Sequence, residues 1–342
     1  MQTKQFKIEG TPRDEAALDA AAALLRAGKL VVIPTETVYG LAANALDPAA
    51  AAAIYTAKGR PCDNPLIVHI ASLDELPPLV KAVPDALYRL ADRFWPGPMT
   101  VILEKSDLVP SATTGGLDTV AVRMPAHPAA RALIRRAGVP LAAPSANLSG
   151  SPSPTCARHC IDDLDGRVDA IVDGGPCEVG LESTVLTLCE QPPQILRPGA
   201  VTLEMARQVL ADIELGPGVF ERLPDGVRAA SPGMKYKHYA PKARVILVHA
   251  ARGPFANFLA SRKGRFGALC LAGDEQALSC PCIVYGVQDD AASQAHGLFD
   301  ALRQIDRAGL PLVYARVDGA GGVGQAVYNR LLRAAGFEEL WV

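Results

Sequence analysis

"ESTVLTLCEQPPQILRPG", residues 182–199, holds two strand-like runs, "ESTVLTL" and "PQILRPG", with no helix between them. Both are rich in β-branched and aliphatic residues, and Pro and Gly bound them. Strands that adjoin in this way do not fit a strictly repeating βαβ array. They predict a mixed sheet inside an α/β domain.

Toward the N-terminus the elements alternate less regularly. "VDAIVDGG", "VPLAAPSA", "DTVAVRMP", "MTVILEK", "PLIVHI" and "KLVVIP" read as strands. "HPAARALIRRAG" reads as a helix ending at Gly138, "DALYRLADRF" as another, and "DEAALDAAAALLRAG" as one ending at Gly28. In "DPAAAAAIYTAKG", Asp47 is a plausible N-cap, Pro48 takes the first helical position, and Gly59 ends the helix in a left-handed turn. Toward the C-terminus the periodicity fades over 216–242, where glycine and proline punctuate the chain. The pattern then becomes cleaner: "RVILVHA", a helix, "RFGALCLA", "CIVYGV", the helix "ASQAHGLFDALRQIDRAG", "LPLVYARV" and the helix "GQAVYNRLLRAAG". The reading is an α/β domain over 14–203, a linker over 216–242 and a small doubly wound α/β domain over 243–342.

Composition agrees with two domains. The chain has 342 residues, of which 49% are hydrophobic and 20% charged. A net charge of −2 gives no overall basic field for nucleic acid, although a local basic groove stays open. The eight cysteines are scattered, and "CARHC" and "CPC" lack a second metal-spaced pair, so they read as ordinary thiols in a reducing cytosol. The N-terminus is polar and no apolar run is long enough to span a bilayer, which predicts a soluble, cytoplasmic protein with no membrane contact.

Several short motifs carry polar chemistry. There is no G-x-x-x-x-G-K-[ST] loop. "GAGGVG" (319–324) matches a dinucleotide fingerprint, but the chain stops at Val342 before a full βαβ unit completes, which favours a glycine-rich packing turn. "PTETVYG" (34–40) ends a hydrophobic strand with hydroxyl groups and one acid, and reads either as a ligand site or as a capped turn. In "DTVAVRMP", Thr119, Ala121 and Arg123 share one strand face and Val120, Val122 and Met124 the other. A guanidinium on such a strand needs an anion, from a protein carboxylate or from a ligand. "APSANLSG", "LESTV" and "LRPG" place small hydroxyl and amide groups, and Arg197, at other strand ends. Lys58 and Arg60, on either side of Gly59, read either as charges facing a helix C-terminus or as anion ligands. Together these segments describe one polar surface charged by Lys58, Arg60, Arg123 and Arg197. Four cations suit a substrate with several negative groups, such as a triphosphate plus a carboxylate. No histidine–carboxylate–nucleophile set appears, so no covalent intermediate is expected.

"PTETVYGL", "KGRPCDNPLIVHI", "WPGPMTVIL", "GLDTVAVRMPAHP", "APSANLSGSPSPT", "VDGG", "GLESTV" and "ILRPGAV" resemble the YrdC-like domain of threonylcarbamoyl-AMP synthases, and "SPGMKYKHYAP" resembles the linker of the two-domain branch. The resemblance implies a YrdC-like mixed twisted sheet followed by a Rossmann-like domain. It implies an L-threonylcarbamoyladenylate synthase, a nucleotidyltransferase using ATP, L-threonine and bicarbonate and releasing pyrophosphate. The product passes to a separate complex that modifies tRNA. The residues implied for threonine are Thr35, His69, Arg123, Ala143 and Ser183. Those implied for ATP are Lys58, Arg60, Asn64, Thr119, Ser145, Asn147, Ser153, Arg197, His238 and Tyr239, with Lys58 and Arg60 as the catalytic pair. Mg2+ is implied to travel with ATP and not in a protein cage. Lys58 and Arg60 would cap a helix and face the triphosphate at once, and Gly59 would let the backbone approach the ligand. "SPGMKYKHYAP" is expected to close over the site as a lid. Two rivals remain: a double-stranded RNA-binding module, with weak RNA binding, and a carbamoyl-transfer enzyme of the hydrogenase-maturation type, whose acylphosphatase and zinc-finger modules are not visible here.

Overall fold

The computed structural model describes residues 2–11, 14–221, 239–317 and 321–342. The first part of the chain runs β1 (Lys4–Lys7), α1 (Asp14–Arg26), β2 (Val31–Ile33), β3 (Gly40–Asn44), α2 (Pro48–Lys58), β4 (Ile67–His69), α3 (Asp85–Phe94), β5 (Met99–Glu104) and β6 (Thr119–Arg123). It continues through α4 (Pro128–Ala137), β7 (Leu141–Ala142), α5 (Ala157–Leu164), β8 (Ala170–Asp173), β9 (Thr184–Thr187), β10 (Gln194–Arg197), α6 (Leu203–Arg207) and β11 (Glu214–Leu215). The second part runs β12 (Arg244–His249), α7 (Arg252–Ala260), β13 (Gly267–Leu271), β14 (Cys282–Gly286), α8 (Ala291–Arg307), β15 (Leu312–Val317), α9 (Gly324–Ala334) and β16 (Glu339–Trp341).

Strands β1 to β11 form one sheet in the order β1-β8-β2-β3-β7-β4-β6-β5-β9-β10-β11. Pairing is mixed. β9 and β10, the two runs that adjoin in sequence, are antiparallel, while β5–β9 and β4–β6 are parallel. One face of this sheet packs on α2, α3 and α5 through a large core that includes Ile54, Leu87, Leu90 and Cys160. The other face is shared. Its β2–β3–β8 side lies under α1 and α4, with Leu18, Leu25, Leu133 and Ile134 in the contact. On the β4–β6–β5–β9–β10 side a small cluster of strand residues, Ile67, Ile102, Ala121, Val185 and Leu196, contains no helix residue.

The second sheet, ordered β14-β13-β15-β12-β16, is parallel throughout. α8 and α9 cover one face and α7 the other, which is the doubly wound arrangement the sequence pattern predicts. The two halves share packing. Val38 and Leu181 from the first part belong to the same core cluster as Leu298 and Phe299 of α8. Gly180 makes this approach possible: with φ at +81°, a Cβ there would sit 2.5 Å from the His296 backbone.

Helix α2 shows how local signals set an element. The Asp47 carboxylate accepts the Ala49 N–H at 2.8 Å, Pro48 is the first helical residue, and Gly59 closes the helix at φ +60°. The N–H groups of Gly59 and Arg60 donate to Thr56 and Tyr55 carbonyls.

Six elements have no counterpart in the sequence reading: β1, β3, α5, α6, β11 and β16. Five of these are at most five residues long. β1, "KQFK", is a mostly exposed edge strand, and β3, "GLAAN", is made of small residues with weak strand preference held between β2 and β7. Among the described residues no helix is long and apolar enough to cross a membrane. All eight cysteines are free thiols.

Candidate active site

Register across the first sheet builds the site. His69 pairs with Arg123, Arg123 with Thr100, Thr100 with Val185, and Val185 with Arg197. Directly opposed residues face the same way, so these five form one row across β4, β6, β5, β9 and β10, on the face that carries the small strand cluster. Val120, Val122 and Met124 lie in the main core on the opposite face, as the alternation in "DTVAVRMP" predicts. Above the row opens a cleft of about 690 Å³, counting the part open to solvent.

Eleven of the predicted site residues line this cleft. Thr35, His69, Arg123, Ala143 and Ser183 are all among them, with Lys58, Arg60, Ser145, Asn147, Arg197 and Tyr239. Asn64, Thr119 and Ser153 do not line it. Asn64 sits behind Arg60, whose Nε donates to the Asn64 carbonyl at 3.2 Å, and its own buried Oδ1 has no hydrogen-bond partner. Thr119 opens β6, away from the row. Ser153 Oγ donates to the Glu182 carboxylate instead. His238 and most of the expected lid lie in 222–238, outside the described residues. Tyr239 is buried at φ 63°, with its ring 5.3 Å from that of Phe299. Gly319 and Ala320 of the glycine run are also outside the described residues, and Gly322 (φ 54°) leads into α9.

Arg123 resolves one question from the sequence. Its guanidinium has a protein anion: Nη2 donates to Glu36 Oε1 at 2.7 Å, and Nε donates to the Gly97 carbonyl. Glu36 Oε2 accepts the Ala126 N–H. Burial opposes the Glu36 charge, yet Arg123 and the hydrogen bonds hold its carboxyl below the ordinary value. "PTETVYG" is thus both a turn and a site wall. The Thr35 hydroxyl donates to the Val38 carbonyl at 2.6 Å and accepts the Thr37 N–H. His69 lies beside Arg123. Burial, then the neighbouring guanidinium, pushes its pKa down to about 3, so the imidazole is neutral.

Lys58 and Arg60 answer the other question. Lys58, only 2% exposed, turns from the end of α2 into the 145–147 loop, where Nζ donates to the carbonyls of Ser145 and Asn147 and to Asn147 Oδ1. The Asn147 amide bonds back to Leu148 and Ser151, which holds the loop in shape. Arg60 donates to the Asn64 and Pro65 carbonyls. Among the described residues neither cation has a carboxylate within salt-bridge distance. Burial, then Arg60, drives the Lys58 pKa well down, and burial brings Arg60 to about 10. Gly59 does not line the cleft, and a Cβ there would meet nothing within 4 Å among the described residues.

Two carboxylates in the site were not assigned from sequence. Glu36 was only noted as the acid of "PTETVYG". Glu182, inside "GLESTV", lines the cleft beside Ser183. Ser183 Oγ is 2.7 Å from Thr100 Oγ1 and accepts from Arg197 Nη2 at 3.2 Å. The clue that was available is a charged residue at the mouth of an otherwise buried strand.

Residues 23–199 match the family described as "Telomere recombination", and 201–336 match "Threonylcarbamoyl-AMP synthase, C-terminal domain". The threonylcarbamoyl-AMP synthase of Pyrococcus abyssi is 47% identical over 95% of both chains. The chain belongs to the threonylcarbamoyl-AMP synthase family. The Bacillus subtilis threonylcarbamoyl-AMP synthase is 43% identical over 98% of this chain and 99% of its own. A crystal structure of P. abyssi Sua5 complexed with L-threonine superposes with a TM-score of 0.91 at 43% identity, covering the whole of both chains. The two-domain, mixed-sheet-plus-parallel-sheet architecture is therefore that of this family.

Proposed function

We propose that the chain joins ATP, L-threonine and bicarbonate into L-threonylcarbamoyladenylate and releases pyrophosphate, acting as a nucleotidyltransferase. The observation that supports this best is an adjacency in one cleft. The His69–Arg123 row with Ser183 lies next to buried Lys58 and half-buried Arg60, which donate to carbonyls and, among the described residues, have no carboxylate within salt-bridge distance. The first group suits a small hydroxy amino acid, and the second suits phosphates. The threonine complex of the P. abyssi relative supports the amino-acid half of the reading.

In this reading Arg123, steadied by Glu36, takes the threonine carboxylate. Thr35, Ser183 and the Ala143 backbone bound the amino-acid subsite, and neutral His69 adds no competing charge. The amine loses a proton as it adds to carbon dioxide, or adds to bicarbonate with loss of water, to give a carbamate. A carbamate oxygen then attacks the α-phosphorus as the bond to the bridging oxygen of pyrophosphate breaks. No protein nucleophile is needed. Lys58, Arg60 and Arg197 neutralise developing charge, and Ser145 and Asn147 hold the Lys58 ammonium in place. Asn64, Thr119 and Ser153 support the nucleotide side from behind the cleft wall, and Tyr239 forms part of that wall. Glu36 and Glu182 are both committed to arginines, so magnesium belongs to the reaction as part of the nucleotide substrate, held by phosphate oxygens and water. The product is passed on, in the cytoplasm, to a transferase that modifies tRNA. A double-stranded RNA-binding role is not favoured: Lys58 and Arg123 expose only 2% and 4% of their surfaces, whereas a phosphate backbone is met by exposed cations.

The test is direct. The purified chain is incubated with ATP, L-threonine and bicarbonate, and the adenylate and pyrophosphate are measured by mass spectrometry and phosphate assay. Adenylate that requires all three substrates is expected. Pyrophosphate release that ignores threonine would overturn the reading.

A further inference from the structure

Arg330 belongs to α9 of the second domain, yet it is fully buried, and it is the largest side chain to be so among the described residues. It makes none of its hydrogen bonds to the second sheet. Nε donates to Glu182 Oε2 at 2.8 Å, Nη2 reaches the Glu182 carbonyl at 3.5 Å, and Nη1 donates to the Pro198 carbonyl at 3.0 Å. Nη1 is also held by Asn329 Oδ1 at 2.8 Å, and Asn329 in turn donates to the Val219 carbonyl. One guanidinium therefore grips the residue before Ser183 and the residue after Arg197. These two grips flank the strand ends that bring Ser183 and Arg197 into the cleft. The same Glu182 carboxylate accepts the Ser153 hydroxyl, and the guanidinium carbon lies 5.5 Å from the centre of the Tyr239 ring.

Arg330 itself does not line the cleft. Its neighbours Glu182, Ser183, Arg197 and Tyr239 all do. We infer that Arg330 is a positioning residue supplied by the second domain. It fixes the β9 and β10 ends so that Ser183 and Arg197 face the substrates in one geometry, and this makes the second domain part of the active site. A small shift at Glu182 moves the adjacent Ser183, and a misplaced positioning group costs binding out of proportion to its distance. Glu182 fits this role. Burial opposes its charge, while Arg330, Arg197 and Ser153 hold its carboxyl below the ordinary value, so it remains an anion able to lock the guanidinium.

The inference rests on the threonine subsite proposed above, so the test reads threonine binding and not turnover. Calorimetry with L-threonine is run on the full chain and on Arg330→Met, Arg330→Lys and Glu182→Gln, with melting curves for each. The expected result is a Kd at least tenfold weaker for Arg330→Met, with partial recovery in Arg330→Lys, which keeps the charge toward Glu182 but loses the reach to Pro198. A merely structural role would lower the fraction of binding-competent protein and leave Kd in place. An Arg330→Met chain that melts cooperatively and binds threonine within twofold of the unaltered protein would overturn the inference. Should Arg330→Met fail to fold, Glu182→Gln decides: it leaves the packing intact and is expected to weaken binding at least threefold, and an unchanged Kd overturns the proposal. Failure of the unaltered chain to bind threonine removes the substrate reading and this inference with it. Binding by the unaltered chain with no loss in any variant removes the inference alone.

Discussion

Lys58 and Arg60 in the cleft can be set against Arg303 and Arg316 in the second domain. Lys58, Arg303 and Arg316 are buried and Arg60 is half-buried, and they are compensated differently. Arg303 is bidentate to Asp163 across the domain seam, at 2.7 and 3.1 Å, and Arg316 Nη1 donates to both carboxylate oxygens of Asp274 at 2.8 and 2.9 Å. Among the described residues Lys58 and Arg60 bond only to carbonyl and amide oxygens. A cation withdrawn from solvent without a direct salt bridge is costly, so folding alone gives little reason to place two such cations side by side. The cleft retains cationic charge for a ligand, whereas the seam and the second domain spend theirs on architecture. Arg123 and Arg330 stand between the two cases: Arg123 lines the cleft and is paired with Glu36, and Arg330 is paired with Glu182, which lines the cleft.

Substitutions in the two groups sharpen this contrast. Lys58→Ala and Arg60→Ala are each expected to lower kcat for adenylate formation by ~10²–10³-fold, the scale of losing a preorganised charge-stabilising group. Their melting temperatures are expected to stay level or rise, because a cation with no salt-bridge partner among the described residues has gone. A large drop in melting temperature with kinetics intact would break the comparison. Arg316→Met is expected to do the reverse. It leaves Asp274 buried without its partner, a loss of about 3–5 kcal/mol in stability. Threonine and ATP KM values of the surviving folded protein should remain near those of the unaltered chain. Denaturant melts and steady-state kinetics on the same preparations check both halves.

A smaller effect distinguishes His69 from the cations beside it. Its folded pKa is pushed down to about 3 from the ordinary 6.5, by burial first and Arg123 second. In the unfolded chain the imidazole takes up a proton near pH 6.5, while in the folded chain it does so only near the lower value. The stability contribution is therefore fully present above pH 6.5 and is lost as pH falls toward 3. One proton of difference gives a slope of about 1.4 kcal/mol per pH unit in that window. His69→Gln should flatten the fall in stability between pH 6 and 4 by up to that amount. An unchanged slope would show that the imidazole charges without unfolding the site.

How much of this was legible in the sequence depended on the range of the signal. Helix α2 was readable because Asp47, Pro48 and Gly59 act within a few residues of one another. The split faces of β6 were readable because alternation is local. The row from His69 to Arg197 was not, because it depends on register between strands far apart in sequence. Arg123 was read as needing an anion, and that was sound, but the choice between Glu36 and a ligand required the turn at 34–40 to be folded over β6. Glu182 and Arg330 are 148 residues apart, and no spacing rule joins them. α5 was missed although it carries Cys160 into the core and Asp163 to Arg303. Its "CARHC" start drew attention as a metal pattern instead of a helix face.

The smallest expected effect separates two roles that sequence gave to Gly59. One was to end α2 in a left-handed turn, and the other was to let the backbone approach the triphosphate. Its φ of +60° supports the first. A Cβ added there would meet nothing within 4 Å, and the residue is not part of the cleft wall, which leaves the second without support. Gly59→Ala is therefore a backbone experiment. It should cost ~1–2 kcal/mol, the penalty for an L-residue in the left-handed region, and Gly59→Asn should cost less because Asn visits that region more readily. Neither should change the KM for ATP by more than about twofold, a binding difference of about 0.4 kcal/mol. If Asn preserves stability and yet raises the ATP KM tenfold, the glycine does serve the nucleotide. In that case Lys58 and Arg60 would be two side chains of a loop whose backbone binds as well, and the contrast between cleft and scaffold would have to include main-chain atoms.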